Sequence, residues 1–469
     1  MTRRKSDKTA SKTKKTTEPT GFSDAAGSQT DSNGRLRWFS PGKIMLLTFL
    51  VGLLVRIIYV FTFRESPFYH SLLVDAQWHD NWAREWANGT WSMDGRAFFR
   101  APLYPFWLSL IYRVFGHDLM VARIVQALLG AGTAAALAGC GWRIGGRKTA
   151  LWAGGIAALY GPFIYFDAEF LIPNLLLALL AWSLFFALAP PSRRSYVISA
   201  LLLGLAVIAR PTALVLLPVV FIFLWGRLRT NPALRKQLAT LTVLVTLAPA
   251  FVVTVFNAIE ENTFVFIASQ GGVNFYAGNH ENASGRSVAI PEFEEAQNSW
   301  ADFVTGSYRV PQAELGRRVS SREMSGYWSK KAWNWITAEP VDAFLLTLKK
   351  AYYALNAYEM PNNRDIYFER PFPLNVFLWK TPLFAFPWGL IFPLALMGAI
   401  IGLQIRDKRS FVGLLLGWLV LYAVFLVPFF LCARFRLGLV PAMILLAAIA
   451  LSEWKKMRRI GPLAAGVVA

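Results

Sequence analysis

Charge is scarce in this sequence. Only 16% of the 469 residues are Asp, Glu, Lys or Arg, against about a quarter in a soluble domain. That shortage excludes an ordinary water-soluble globule. Cysteine is scarcer still. Cys140 and Cys432 are the only two, and they fall at the inner end of one apolar segment and the outer end of another. The expected separation excludes a disulfide, and two cysteines so placed make no metal–cysteine site. The opening stretch, "MTRRKSDKTASKTKKTTEPTGFSDAAGSQTDSNGRLRW", has no apolar core, so it reads as neither a signal peptide nor a buried segment. No Gly-rich turn ends in GK[ST], which excludes a phosphate loop of the nucleotide-binding kind. The halves show no inverted repeat of the sort many transporters carry.

What is present is apolar and aromatic. Hydrophobic residues make up 55% of the chain, and aromatics 15%, including 18 Trp and 36 Phe. Mean hydropathy is +0.40. These values describe a polytopic membrane protein. The formal charge is +20, from 48 Lys and Arg against 28 Asp and Glu. The basic residues sit in short clusters between apolar runs, as the positive-inside bias requires, so they do not mark a nucleic-acid binder. Residues 1–40 are expected as a disordered basic cytoplasmic tail. Residues 41–460 are expected as one transmembrane domain, with outer loops at 64–118 and 257–380.

The fold expected is all-α, with about ten transmembrane helices. Spans are read at Ile44–Phe63, Leu119–Trp142, Ala150–Phe166 and Phe170–Leu188, then at Leu238–Phe256, Leu383–Leu403, Phe411–Phe430 and Leu437–Leu451. Tyr196–Gly226 is the test case. Arginines flank both of its ends, and as one helix it would be about 46 Å long, well beyond a core of about 30 Å. Arg210-Pro211 lies in its middle, and proline turns the preceding residue away from helical geometry. Two short crossings meeting at Arg210 on the outer side fit better. Both termini are then cytoplasmic. Asp342–Tyr358, within the second outer loop, is amphipathic and is read as lying along the surface.

This topology gathers polar groups on one face. Asp75, His79, Asp80 and Arg100 fall in the first outer loop, and Asp167 and Glu169 in a short second outer turn. Arg210 falls in the third, and Arg434 and Arg436 between the last two spans. Singly, each reads as an interfacial residue. Together they outline a polar cavity at the membrane surface. A carboxylate there can take a proton from a nucleophile, and arginines can grip a phosphate with forked donors. Asp75 and His79 stand four apart, on one helix face, but no third metal ligand follows. Trp78, Trp82, Trp86 and Trp91 suit an interfacial helix. "SQGGVNFYAGNHENASG", with Gly271, Gly272, Asn274, Tyr276 and Asn279, is read as a loop over the site.

Seven segments resemble, in order, motifs of the polytopic GT-C glycosyltransferases. They are "DAQWHDNWA", "RAPLYPFWLSLIYRVFG", "ARIVQALLG", "AEFLIPNLL", "ARP", "GGVNFYAGN" and "ARFRLGLVPAMILLAA". The nearest likeness is to bacterial family-39-like members, the group of the protein mannosyltransferases and the aminoarabinose transferase of lipid A. The resemblance implies a polyprenyl-phosphate-linked sugar donor, a lipid, glycan or protein acceptor, contact with membrane lipid, and a site on the outer face of a bacterial inner membrane. It implies Asp75 as general base, with Asp80 able to share that role, and Asp167 or Glu169 as the second-loop acid. Arg100, Arg210 and Arg434 fall where the family places cations near the donor phosphate, and Arg436 is read as a further helper. No cofactor is assigned with certainty, and a divalent cation at Asp75 and Glu169 is left open. His79 stands where the family has tyrosine. Transfer by single displacement would invert the anomeric carbon. The rival readings are a flippase or transporter for lipid-linked sugar, and a lipid-phosphate-binding protein without catalysis.

Overall fold

A computed structural model describes residues 40–457 apart from 92–94, 230, 294–299 and 362. The tail expected over residues 1–40 lies outside the described residues, save Ser40. The chain opens with α1 (Pro41–Phe63), then α2 (Asp75–Ala87), α3 (Leu103–Phe115), α4 (Leu119–Leu159) and α5 (Gly161–Ala168). Next come α6 (Pro173–Ala187), α7 (Arg193–Ala209), α8 (Leu216–Arg227) and α9 (Pro232–Glu261). Residues 257–380 carry α10 (Gly271–Ala277), α11 (Trp300–Leu315), α12 (Ser321–Ala338), α13 (Pro340–Leu355) and α14 (Leu374–Phe377). The only described strands are β1 (Trp379–Lys380) and β2 (Ala385–Phe386), an antiparallel pair. The chain closes with α15 (Trp388–Gln404), α16 (Arg409–Leu426), α17 (Ala433–Arg436) and α18 (Val440–Met457).

α18 is apolar on every side, and its residues from Val440 to Ala450 are buried almost throughout. A helix of that kind belongs at a core, and α18 packs between α4, α15 and α16. α1 and α9 instead turn leucines, valines and Phe251 outward. Such faces suit lipid rather than water. Among the described residues, five helical segments are long and apolar enough to cross a membrane: 41–63, 119–159, 232–261, 406–426 and 433–455. Three more are apolar but shorter, at 173–187, 211–227 and 388–404. The fold is thus helical and multi-pass, but five long helices stand where the sequence led us to expect about ten.

The difference has physical causes. α4 runs through two expected spans and is interrupted only at Gly146, whose φ of 72° and ψ of −156° are not helical. At 41 residues it would be roughly 61 Å long if straight. α6 has 15 residues, about 22 Å, short of the core thickness. The stretch Tyr196–Gly226 breaks at Arg210, which is extended (φ −151°, ψ 111°), as the following proline requires. A 3-10 turn, Pro211–Val215, then leads into α8.

A second, smaller core joins residues 257–380 to Phe99. Phe99, Val273, Tyr276, Phe303, Met324 and Trp328 pack together and fix α10 against α12. α13 buries Ala343, Leu346 and Lys350 but exposes Val341, Phe344, Leu345, Leu348 and Tyr352.

Candidate functional site

A cavity of about 450 Å³ opens where the start of α2, the break between α7 and α8, the start of α10 and α17 converge. Its polar lining includes Asp75, His79, Arg100, Arg210, Gln270, Asn274, Arg286 and Arg434. Each is placed by local structure. Asp75 is the first residue of α2, and Val74 before it has φ 44° and ψ −103°. That is a strained setting for a β-branched residue, costing on the order of 1–3 kcal/mol, and it turns the chain so that Asp75 starts the helix at the cavity wall. Arg100 follows a short backbone pairing, in which Ser269 N donates to Phe98 O (2.9 Å) and Gln270 N to Phe99 O (3.0 Å). Buried Asn257 secures that pairing. It accepts from Phe98 N (2.9 Å) and donates to Val265 O and Ile267 O (both 3.1 Å).

Asp75 is buried, and both of its oxygens are held by arginine. Arg100 Nη2 donates to Oδ1 at 2.8 Å, and Arg434 Nη1 pairs with Oδ2. Burial alone would raise the Asp75 carboxyl, but Arg100 and Arg434 outweigh it and hold it well below the usual carboxylate range. Arg100 is also tied by Nη1 to His79 Nε2 (3.3 Å) and by Nε to Gln270 Oε1 (3.4 Å). His79 Nδ1 lies 2.9 Å from Phe170 O. A carbonyl only accepts, so Nδ1 carries the proton and Nε2 offers its lone pair to Arg100. Burial, with Arg100 beside it, pushes His79 down to about 3, so the imidazole is neutral at pH 7. Arg210 Nη1 donates to Arg434 O (3.3 Å), and its guanidinium lies 4.6 Å from the Phe435 ring centre. Among the described residues it pairs with no carboxylate.

The structure brings Asp75, Arg100, Arg210 and Arg434 together, with Gly271 and Asn274 in the same wall. It sends the other expected residues elsewhere. Asp80 accepts from Tyr112 Oη (2.5 Å) and His117 Nε2 (2.9 Å) on the far side of α2. Asp167 is buried against Arg56 of α1 (Nε to Oδ2, 2.5 Å) and Asn174. This partnership explains the arginine inside the first span, whose Nη1 also bonds Gly52 O and Ala158 O. Glu169 pairs with Arg364 and lines a separate small recess, which shares Asn363 and Arg434 with the larger cavity. Arg436 is wholly buried and bound to Glu359 (2.8 Å) and to the carbonyls of Tyr353, Asn356 and Tyr358. It does not line the cavity.

The glycine-rich segment is less a loose lid than a packed wall. Gly272 abuts Ser325, the Tyr276 ring packs tilted against Trp328 with centres 5.1 Å apart and its hydroxyl bonds Glu292, and Asn279 donates to Pro428 O (2.7 Å). The divalent cation left open at Asp75 and Glu169 finds these carboxylates each engaged by arginine. Among the described residues no three His, Cys, Asp or Glu side chains group as metal ligands. Sequence reasoning missed Gln270, Arg286, Arg364 and Glu359. Arg364 and Glu359 lie in the polar sequence between α13 and α14 with no helical period to place them, and only a search for partners to unpaired span-end charges could have raised them.

Residues 100–256 match the family described as dolichyl-phosphate-mannose-protein mannosyltransferase. No curated protein matches the chain. Among solved structures, the oligosaccharyltransferase AglB from the archaeon Archaeoglobus fulgidus, in complex with an inhibitory peptide and a dolichol-phosphate, is similar at 14% identity and a TM-score of 0.47, over 90% of this chain and 51% of that one. A second A. fulgidus oligosaccharyltransferase structure, a complex with Zn and sulfate, gives 13%, 0.48, 91% and 51%. ArnT from Cupriavidus metallidurans, bound to undecaprenyl phosphate, gives 15%, 0.41, 90% and 81%. The chain thus spans about half the length of the two archaeal oligosaccharyltransferase chains. Over residues 100–256, about a third of its length, this chain is similar to the family described as dolichyl-phosphate-mannose-protein mannosyltransferase.

Proposed function

We propose that the protein transfers a sugar from a polyprenyl-phosphate donor to a lipid, glycan or protein acceptor at the outer face of a bacterial inner membrane. The observation that carries this reading is the carboxylate held by two arginines on a cavity wall, with a third arginine beside them that pairs with no carboxylate among the described residues. Arg210, Arg434 and Arg100 receive the donor phosphate. As its oxygens engage the guanidinium groups, Asp75 shares less of their charge and its basicity rises toward an ordinary carboxylate. Asp75 then takes the proton from the acceptor hydroxyl or amine. The acceptor atom bonds to the anomeric carbon, the bond from that carbon to the phosphate oxygen breaks, and polyprenyl phosphate leaves with the electron pair. One displacement inverts the anomeric centre. Phosphate is a competent leaving group, so no second carboxylic acid is needed, unlike in most glycoside hydrolases. That suits the structural partners found for Asp167 and Glu169.

Arg210→Ala is expected to weaken undecaprenyl phosphate binding by about tenfold or more, the scale of one lost charge-assisted contact. Titration of the lipid into the purified full chain in nanodiscs measures it. Unchanged affinity in folded protein removes Arg210 from the phosphate site. A labelled undecaprenyl-phosphate sugar separates the rival readings: a transferase consumes it, while a flippase moves it and a binding protein holds it intact.

The site's placement rests on about ten crossings. We propose that α6, α7, α8 and α15 join the five long apolar helices in crossing the membrane and that α4 crosses twice, which puts residues 257–380 outside. Cys140 and Cys432 are buried and can be replaced. A cysteine at exposed Asn282 is then expected to react with a membrane-impermeant thiol reagent added outside sealed cells, and one at exposed Ser410 to stay unlabelled. Ready labelling at 410 reverses the orientation there.

A further inference from the structure

Four arginines line the cavity, Arg100, Arg210, Arg286 and Arg434, against one aspartate, Asp75. Neutral His79 does not change that balance. Three of the arginines form one group, since Arg100 and Arg434 share Asp75 and Arg210 donates to Arg434 O. The fourth comes from a different wall. Arg286 follows Gly285, whose φ of +77° and close approach to Lys350 Cγ (2.9 Å for an added Cβ) admit no other residue without strain. Leu431 N donates to Gly285 O at 2.9 Å. Lys350 Nζ donates to Gly278 O (3.1 Å) and Asn279 Oδ1 (2.9 Å). Ser284 Oγ accepts from Arg286 N and Ser287 N (both 3.2 Å). The backbone presenting Arg286 and Ser287 to the cavity is therefore pinned on several sides. Yet the Arg286 side chain is exposed, and among the described residues it pairs with no carboxylate.

A sugar phosphodiester carries a single negative charge, and the three-arginine group already exceeds it by one after Asp75 is counted. An exposed fourth cation on a pinned backbone in the same cavity calls for another anion. We propose that Arg286, with Ser287 beside it, forms a second anion subsite that takes a phosphate or carboxylate group carried by the acceptor. The buried arginines suit a phosphate arriving on a lipid. Arg286 is reachable from water, where the body of an acceptor would lie once its nucleophile reaches Asp75. This deepens the transferase reading and rests on it.

The test uses the full chain in nanodiscs, with inorganic phosphate titrated in while undecaprenyl phosphate is saturating. Wild type is expected to bind phosphate under those conditions. Arg286→Ala is expected to weaken that binding by about tenfold or more and to leave undecaprenyl phosphate affinity within about twofold. Arg286→Lys should retain part of it, since the charge remains and the fork is lost. No phosphate binding to the lipid-filled protein, or binding unchanged in Arg286→Ala, overturns the proposal. So does a loss of undecaprenyl phosphate affinity in Arg286→Ala equal to that in Arg210→Ala, because Arg286 would then serve the donor. A weakening confined to undecaprenyl diphosphate would assign Arg286 to a second donor phosphate and likewise overturn it. If wild type binds no undecaprenyl phosphate, the donor reading fails. Phosphate titration of the lipid-free protein then tests the subsite alone: loss in Arg286→Ala keeps it, and no loss ends it.

Discussion

Asp75→Asn is expected to lower the transfer rate by about 10²–10⁴-fold, the range for loss of a general base, and to bind undecaprenyl phosphate no more weakly than wild type. The amide keeps the size of the side chain and can still accept from one arginine. It cannot take the acceptor's proton. It also no longer neutralises Arg100 and Arg434, which leaves more positive charge for the phosphate. Rate and affinity therefore move apart, a pattern that simple misfolding does not produce. The measurement is the initial rate of undecaprenyl phosphate release from a labelled undecaprenyl-phosphate sugar, in membranes that contain the native acceptor, together with lipid binding to the purified variant. Asp80→Asn is the control, because Asp80 is occupied with Tyr112 and His117. Near-normal turnover in Asp75→Asn would remove Asp75 from the base role. Retention at the anomeric carbon would sink the single displacement itself.

The second large effect is on stability. Arg436→Ala is expected to cost about 3–5 kcal/mol, the range for breaking a buried ion pair from one side. Arg436 and Glu359 are both almost fully enclosed, at 0% and 1% side-chain exposure. Removing the arginine strands the Glu359 carboxylate and three backbone carbonyls at once. The double variant Arg436→Met with Glu359→Leu removes the stranded charge and should regain much of the loss, since apolar replacement of a whole buried pair is often tolerated. Thermal unfolding in one detergent compares the three proteins. If Arg436→Ala unfolds like wild type yet loses undecaprenyl phosphate, Arg436 returns to the phosphate site where sequence reasoning had placed it.

These two arginines show how far sequence reading reaches. Arg434 and Arg436 stand two apart in "CARFRLG" and read alike. In the structure one meets Asp75 at the cavity and the other meets Glu359 inside the protein. Hydropathy and basic clusters lead to the same expected face for both, because the bilayer constrains every span in the same way. Which way each side chain points depends on a carboxylate dozens or hundreds of residues distant, and no local period encodes that. Arg56, a lone arginine within the first apolar span, was legible only in part. Such an arginine either snorkels or faces protein, and in the structure it faces Asp167. The Arg210 break was legible because proline acts on the residue beside it, so the signal is local. Helix count was less legible. Apolar runs set where a chain lies in the membrane, while their subdivision at Gly146 and Tyr160 depends on how the legs pack.

Gly130 has a bearing on how such a protein changes over generations. A β-carbon there would collide with the Asp167 carboxylate and with Arg56 Nε, 2.7 Å away. The glycine on α4, the arginine on α1 and the aspartate on α5 are therefore one inherited unit spread over three helices. A single substitution at any of them either evicts a charge or strands one, so descendants of this chain should keep all three or exchange them together.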